Sequence, residues 1–187
     1  MRVTGGSLGG RPLRAPKGMG TRPTTDRTRE ALFNILAHRE DEMLEGARVL
    51  DLFAGSGALG IEAISRGAAF CLFVETAAAA RGAIRENCEA LSLNGVTRLH
   101  RRSATQLGAK PAGMGGPFSL AFLDPPYGQD LVAPTLAGLS AGGWLGEGAL
   151  IVAEQGRNDA APETAGFVQE DERGFGDTLV RFLRYGR

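Results

Sequence analysis

The stretch Val49-Leu50-Asp51-Leu52-Phe53-Ala54-Gly55-Ser56-Gly57-Ala58-Leu59-Gly60 decides the fold. Val49 to Phe53 is an apolar run broken by one acid, as expected of a strand buried on both faces. Leu59, Ile61, Ala63 and Ile64 then recur at helical spacing until Gly67. The unit reads as strand, glycine loop and helix. Glycines at such a turn let a ligand approach the backbone closely and leave the amides of the helix start exposed to it.

Gly55, Gly57 and Gly60 keep a spacing that also serves a dinucleotide pyrophosphate, so spacing alone leaves the ligand open. Asp51 tips the balance. An anion at the end of this strand would repel a pyrophosphate but attract an ammonium or sulfonium. The cofactor inferred is S-adenosylmethionine, with Asp51, Phe53, Ala54, Gly55, Ser56 and Gly57 expected around it. Glu75 closes the next apolar run, Phe70 to Val74, where an acid about twenty residues past the glycine loop takes ribose hydroxyls in doubly wound folds.

Working outward, strands are expected over 48–53, 70–75, 97–101, 118–123 and 149–154, with helices near 57–66, 76–93, 104–109 and 130–140. Alternating units of this kind make a mostly parallel sheet covered by helices on both faces. The end of the chain breaks the alternation. Two strand-like runs, 167–175 and 178–185, are separated only by Gly176 and Asp177, too close for a crossover helix and therefore antiparallel. A parallel sheet finished by such a hairpin is typical of an α/β, Rossmann-like, class I S-adenosylmethionine-dependent methyltransferase. Upstream, Gly5, Gly6, Gly9 and Gly10 suit a short β-hairpin appendage. A helix then follows Thr24 or Thr25 as cap, with Ala31, Leu32, Ile35 and Leu36 on one face. The division expected is a hairpin and basic arm over 1–20 and a methyltransferase domain over 21–187.

Asp124-Pro125-Pro126-Tyr127 stands directly after the apolar run Phe118 to Leu123. Two prolines give a stiff corner whose carbonyls can face outward. With an acid before them and an aromatic ring behind, the corner offers acceptors for a planar amine and a face for the ring that carries it. Asp124, Pro125, Pro126 and Tyr127 are the expected catalytic residues, and the chemistry is methylation of a nucleobase amine.

The 187 residues include 43% apolar side chains and are formally neutral. The charge is unevenly placed. Residues 1–39 hold eight basic side chains against two acids, leaving 13 basic and 19 acidic groups in the remaining 148, a split of +6 and −6. A basic arm rich in arginine on an acidic body suits contact with phosphate. Arg11, Arg14, Arg22, Thr24 and Arg27 are the expected RNA contacts. Cys71 and Cys88 have no paired spacing and read as small core residues, so no metal is expected. No apolar stretch approaches the length of a membrane span, and the first residues lack the layout of a signal peptide; a cytoplasmic protein with no membrane association is expected.

The segment Arg22-Pro23-Thr24-Thr25-Asp26-Arg27-Thr28-Arg29-Glu30, followed by Leu32, Phe33 and Asn34, together with Asp51 to Gly60 and Asp124 to Tyr127, resembles the bacterial RsmD-type family, the small-subunit ribosomal RNA guanine-N2 methyltransferases. The resemblance runs nearly end to end. It implies methylation of the exocyclic N2 amine of one guanine in 16S rRNA, nucleotide 966, by a monomer acting on a small-subunit assembly particle. It also implies adenine contacts from Ser103 and Ala104. Glu75 is followed by Thr76 and Ala77 where relatives commonly have a further polar or acidic residue, so ribose binding rests on Glu75 alone. Adenine-N6 DNA methylation and protein glutamine methylation use a similar corner. A non-catalytic RNA-binding assembly factor would have no need of intact Asp51, Gly55, Gly57 and Asp124. An oxidoreductase remains compatible with the glycine spacing.

Overall fold

The computed structural model describes residues 1–16, 25–39 and 43–186. Seven strands form one sheet: β1 (Arg48–Leu52), β2 (Phe70–Val74), β3 (Thr97–His100), β4 (Phe118–Leu123), β5 (Leu145–Gly156), β6 (Phe167–Phe175) and β7 (Thr178–Tyr185). Their order is β3-β2-β1-β4-β5-β7-β6. The first five are mutually parallel, and β7 runs antiparallel to β5 and β6. The expected parallel sheet with an antiparallel terminal hairpin is therefore present, and the hairpin has the bounds its sequence indicates.

Among the described residues four helices cover the sheet: α1 (Asp26–Arg39), α2 (Ala58–Ser65), α3 (Ala78–Ala90) and α4 (Val132–Ala141). Alternation along the strands divides the core in two. Val49, Cys71, Phe73, Leu120 and Phe122 face one way, toward Leu32, Phe33 and Leu36 of α1, Ile61 of α2 and Ile84 and Cys88 of α3. Leu50, Leu52, Leu72, Ala121 and Leu123 face the other, toward Leu136 and Leu139 of α4 and the fully buried Trp144. Burial of each large side chain contributes roughly 1.5–3 kcal/mol relative to exposure.

Local chemistry sets several boundaries. The Thr25 hydroxyl accepts the Thr28 N–H at 3.1 Å, so Thr25 caps α1. Of the other candidate cap, Thr24, nothing is described. The helix expected over 104–109 is only a 3-10 turn, Ala104–Gln106, because Gly108 takes a φ of +68° that ends helical pairing. The helix expected from residue 130 starts at Val132, since Asp130 has φ +49°. Pro134 lies in its first turn, where a missing N–H costs no helical bond. β5 is longer than its apolar run. It pairs with Phe118 at its start and follows β7 out to Gly156.

The N-terminal segment corrects the expectation of an appendage. Its hairpin is loose, with one antiparallel bridge between Arg2 and Pro12 around a 3-10 turn at Gly6–Leu8. Val3 and Leu13 are buried in the same core cluster as α1 and α2. Glu62 of α2, fully buried, accepts the Thr4 N–H at 2.8 Å, the Thr4 hydroxyl at 2.7 Å and the Gly5 N–H at 2.9 Å. The same carboxylate pairs with Arg29 at 3.3 Å and Arg66 at 2.9 Å. Buried charge is tolerated there because both Glu62 oxygens are hydrogen-bonded and paired, although the buried Arg29 Nη1 has no partner among the described residues. The boundary expected between 20 and 21 lies outside the described residues.

Candidate active site

The two motifs meet at the carboxyl ends of β1 and β4. Leu52 pairs with Leu123, and the Asp124 N–H reaches the Leu52 carbonyl at 3.4 Å. Phe53 and the glycine loop therefore leave the sheet beside the diproline corner, at the crevice where ligands bind in open α/β sheets.

The glycine loop is held from several sides. Phe53 has φ +60°, a strained conformation for an aromatic residue, and Gly55 and Gly57 follow with φ +56° and +78°. The Ala54 carbonyl accepts the Gly57 N–H at 2.7 Å, closing the turn. At Gly55 a β-carbon would meet no atom within 4 Å, so the loop presents open space there for a ligand. Gly60 differs. Its β-carbon would lie 2.5 Å from the Phe73 ring and closer still to the Cys71 sulfur, so this glycine serves helix–sheet packing.

Asp51 is buried, and its Oδ2 accepts the Gly60 N–H at 2.9 Å. Expected among the residues around the cofactor, it sets the entry of α2 from beneath the glycine loop. Burial pushes its carboxyl well above the ordinary carboxylate range; the Gly60 N–H opposes this, while Asp124 and Glu75 add to it. Glu75 accepts the Gly55 N–H at 2.9 Å and the Ala77 N–H at 2.8 Å, tying the end of β2 to the loop. Each carboxylate oxygen retains a second lone pair, so these bonds are compatible with ribose hydroxyls. Ser103 is half-buried and pairs with the Thr105 hydroxyl at 2.9 Å, and Ala104 is buried. Both lie just past β3. The acid, glycines and Ser103 together fit a cofactor with a ribose and a charged tail.

At the corner, Asp124 is half-buried, Pro125 buried, and Pro126 and Tyr127 exposed. The Tyr127 hydroxyl donates to Glu154 at 2.7 Å and lies 2.8 Å from the Thr178 hydroxyl. Burial and then the Glu154 bond raise its pKa, keeping the phenol neutral. Nothing local in the sequence marks Glu154 or Thr178 for this role. Beneath the corner lies a water-sized pocket of about 10 Å³ bounded by Pro125, Pro126, Tyr127, Glu154 and Gln155.

Arg11 and Arg14 are exposed on the N-terminal segment, and Arg27 is exposed on α1. Arg11 donates to the Ala90 carbonyl at 3.2 Å, and Arg14 pairs with Glu86 at 3.1 Å. Arg22 and Thr24 lie outside the described residues. Arg29, counted in the basic arm by sequence, is fully buried and paired with Asp26 and Glu62, so it presents no charge to phosphate. Among the described residues no group of three or more His, Cys, Asp or Glu is placed to hold a metal ion, and no helix is long and apolar enough to cross a membrane.

The family described as conserved hypothetical protein 95 matches residues 1–184. Ribosomal RNA small subunit methyltransferase D of Escherichia coli strain K12 is 38% identical over 162 residues, 87% of this chain and 78% of its own. The chain belongs to the RsmD family. Within it, Bacillus subtilis YlbH is 40% identical over 166 residues, covering 89% of this chain and 88% of its own. The solved structure of Escherichia coli yhhF superposes with a TM-score of 0.84 at 36% identity, over 100% of this chain and 98% of that one. The fold of this RsmD family member is that of class I S-adenosylmethionine-dependent methyltransferases.

Proposed function

We propose that this protein methylates the exocyclic N2 amine of a guanine in the 16S RNA of the small ribosomal subunit, nucleotide 966 by family resemblance. One observation carries the reading: the strained glycine loop and the diproline corner leave adjacent strand ends, joined by the Asp124 N–H and the Leu52 carbonyl. When bound, S-adenosylmethionine supplies an electrophilic methyl group on a sulfonium. Gly55 and Gly57 cradle it, Glu75 takes the ribose hydroxyls, and Ser103 and Ala104 border the adenine. The buried Asp51 acts through Gly60 by fixing the turn.

The guanine amine shares its lone pair with the ring and is a poor nucleophile. The Asp124 carboxylate and the Pro125 carbonyl accept its two N–H bonds, which orients the lone pair and stabilises positive charge developing on nitrogen. Tyr127 stacks on the base, with its ring fixed at the hydroxyl by Glu154 and Thr178. The target must be unpaired or turned out of its stack to reach the corner. Arg11, Arg14 and Arg27, with Arg22 and Thr24, engage the RNA backbone, and an assembling small subunit is the substrate.

Incubation with radiolabelled S-adenosylmethionine and small-subunit particles lacking the modification, followed by digestion to nucleosides, tests this. Label in N2-methylguanosine of 16S RNA is the expected result. Label in N6-methyladenosine, or in protein, would replace the reading with one of its rivals.

A further inference from the structure

Asn87 of α3 is 2% exposed and commits both its amide donors and its carbonyl oxygen to two distant segments. Its Nδ2 donates to the Arg14 carbonyl at 3.0 Å and to the Ser56 carbonyl at 3.0 Å, and its Oδ1 accepts the Arg14 N–H at 2.8 Å. The reversed amide would set its oxygen against two carbonyls and its NH2 against an N–H, so the pattern fixes one orientation. Arg14 belongs to the basic segment, and Ser56 lies between the two cofactor-loop glycines. The Ser56 hydroxyl also points at the Met1 sulfur, 3.7 Å away. The Arg14 guanidinium itself is 76% exposed beside Glu86. One buried amide thus joins a surface that faces solvent to the loop that cradles the cofactor.

We propose that Asn87 is a positioning residue that couples RNA binding on the N-terminal segment to cofactor binding in the glycine loop. This rests on the function proposed above. RNA held by Arg11 and Arg14 fixes the Arg14 backbone; through Asn87 this restrains the Ser56 carbonyl and with it the turn between Gly55 and Gly57 in the form that takes the cofactor. The effect is reciprocal by linkage, and bound cofactor tightens RNA binding by the same factor.

The test measures the affinity of radiolabelled S-adenosylhomocysteine, which cannot turn over, by equilibrium dialysis with and without a 16S RNA transcript. In the parent, RNA raises the affinity about fivefold or more. In Asn87→Ala the ratio collapses to one although both ligands still bind, which a residue serving stability alone would not cause. In Asn87→Asp, which keeps the acceptor for the Arg14 N–H but loses both donors, the ratio also collapses. A second measurement needs no variant: RNA alone slows amide hydrogen exchange at residues 54–57 of the parent. An undiminished ratio in Asn87→Ala, or loop exchange indifferent to bound RNA, overturns the coupling and leaves methyl transfer standing. A parent that neither binds nor methylates the RNA overturns the functional reading, and the coupling with it.

Discussion

The Tyr127 hydroxyl donates to the Glu154 carboxylate at 2.7 Å, which pins the one exposed ring of the diproline corner to the end of β5. Thr178, at the start of β7, approaches the same hydroxyl at 2.8 Å. The terminal hairpin therefore helps to aim the residue expected to stack on the base. Tyr127→Phe keeps the ring and loses the anchor. It should raise KM for RNA several-fold and lower stability by about 0.5–1.5 kcal/mol. Thr178→Val should have a similar but smaller effect in the parent and almost none in the Tyr127→Phe background, as a double-mutant cycle on KM will show.

Gly55 and Gly60 should separate binding from packing. Gly60→Ala drives a methyl into Cys71 and Phe73 and should destabilise the fold by about 1–3 kcal/mol in urea denaturation. Gly55→Ala meets no atom but must hold φ +56°, at a cost of about 1–2 kcal/mol. Its larger effect should be on calorimetric affinity for S-adenosylmethionine, weakened about tenfold or more because the added methyl enters the cradle.

Asp51 predicts a pH dependence with a definite sign. Its folded-state pKa is raised, chiefly by burial, above the ordinary value of 3.8. Below that value the group is protonated in both states and its ionisation has no effect. As pH rises from there through the folded pKa, the unfolded chain ionises first, so the protein loses stability. Asp51→Asn keeps an acceptor for Gly60 without this loss. Its stability relative to the parent should therefore grow from acid toward neutral pH in urea denaturation.

The basic residues should divide by burial. Replacing Arg11 and Arg14 with Ala should change stability by less than about 1 kcal/mol, because the Arg14–Glu86 pair is exposed. It should flatten the dependence of RNA affinity on salt by about 0.7–0.9 for each phosphate left without its arginine. Arg29→Ala should do the reverse. Leaving Glu62 short of its buried partner costs about 3–5 kcal/mol, read by denaturation.

What the sequence makes legible follows from the range of the forces involved. The β1–glycine loop–α2 unit and the terminal hairpin are visible because periodicity and turn chemistry act over a few residues. So is the meeting of Asp124 with the glycine loop, since a parallel sheet brings the carboxyl ends of its strands together. Arg29 misleads because its neutralising partner Glu62 lies 33 positions away, and a local count of charge cannot see it. Asn87, Glu154 and Thr178 are silent for the same reason: their partners lie 73, 27 and 51 positions distant. Each looks like an ordinary polar residue within its own element. Asp51 is found for its charge, yet its orientation toward Gly60 emerges only when α2 docks on the strand.

Asp124→Ala gives the most direct measurement of the central claim, that the acid at the tip of β4 holds the amine for transfer. Single-turnover methylation of 16S RNA should fall on the order of 100-fold or more, with calorimetric cofactor affinity preserved. Turnover close to that of the parent would contradict the account.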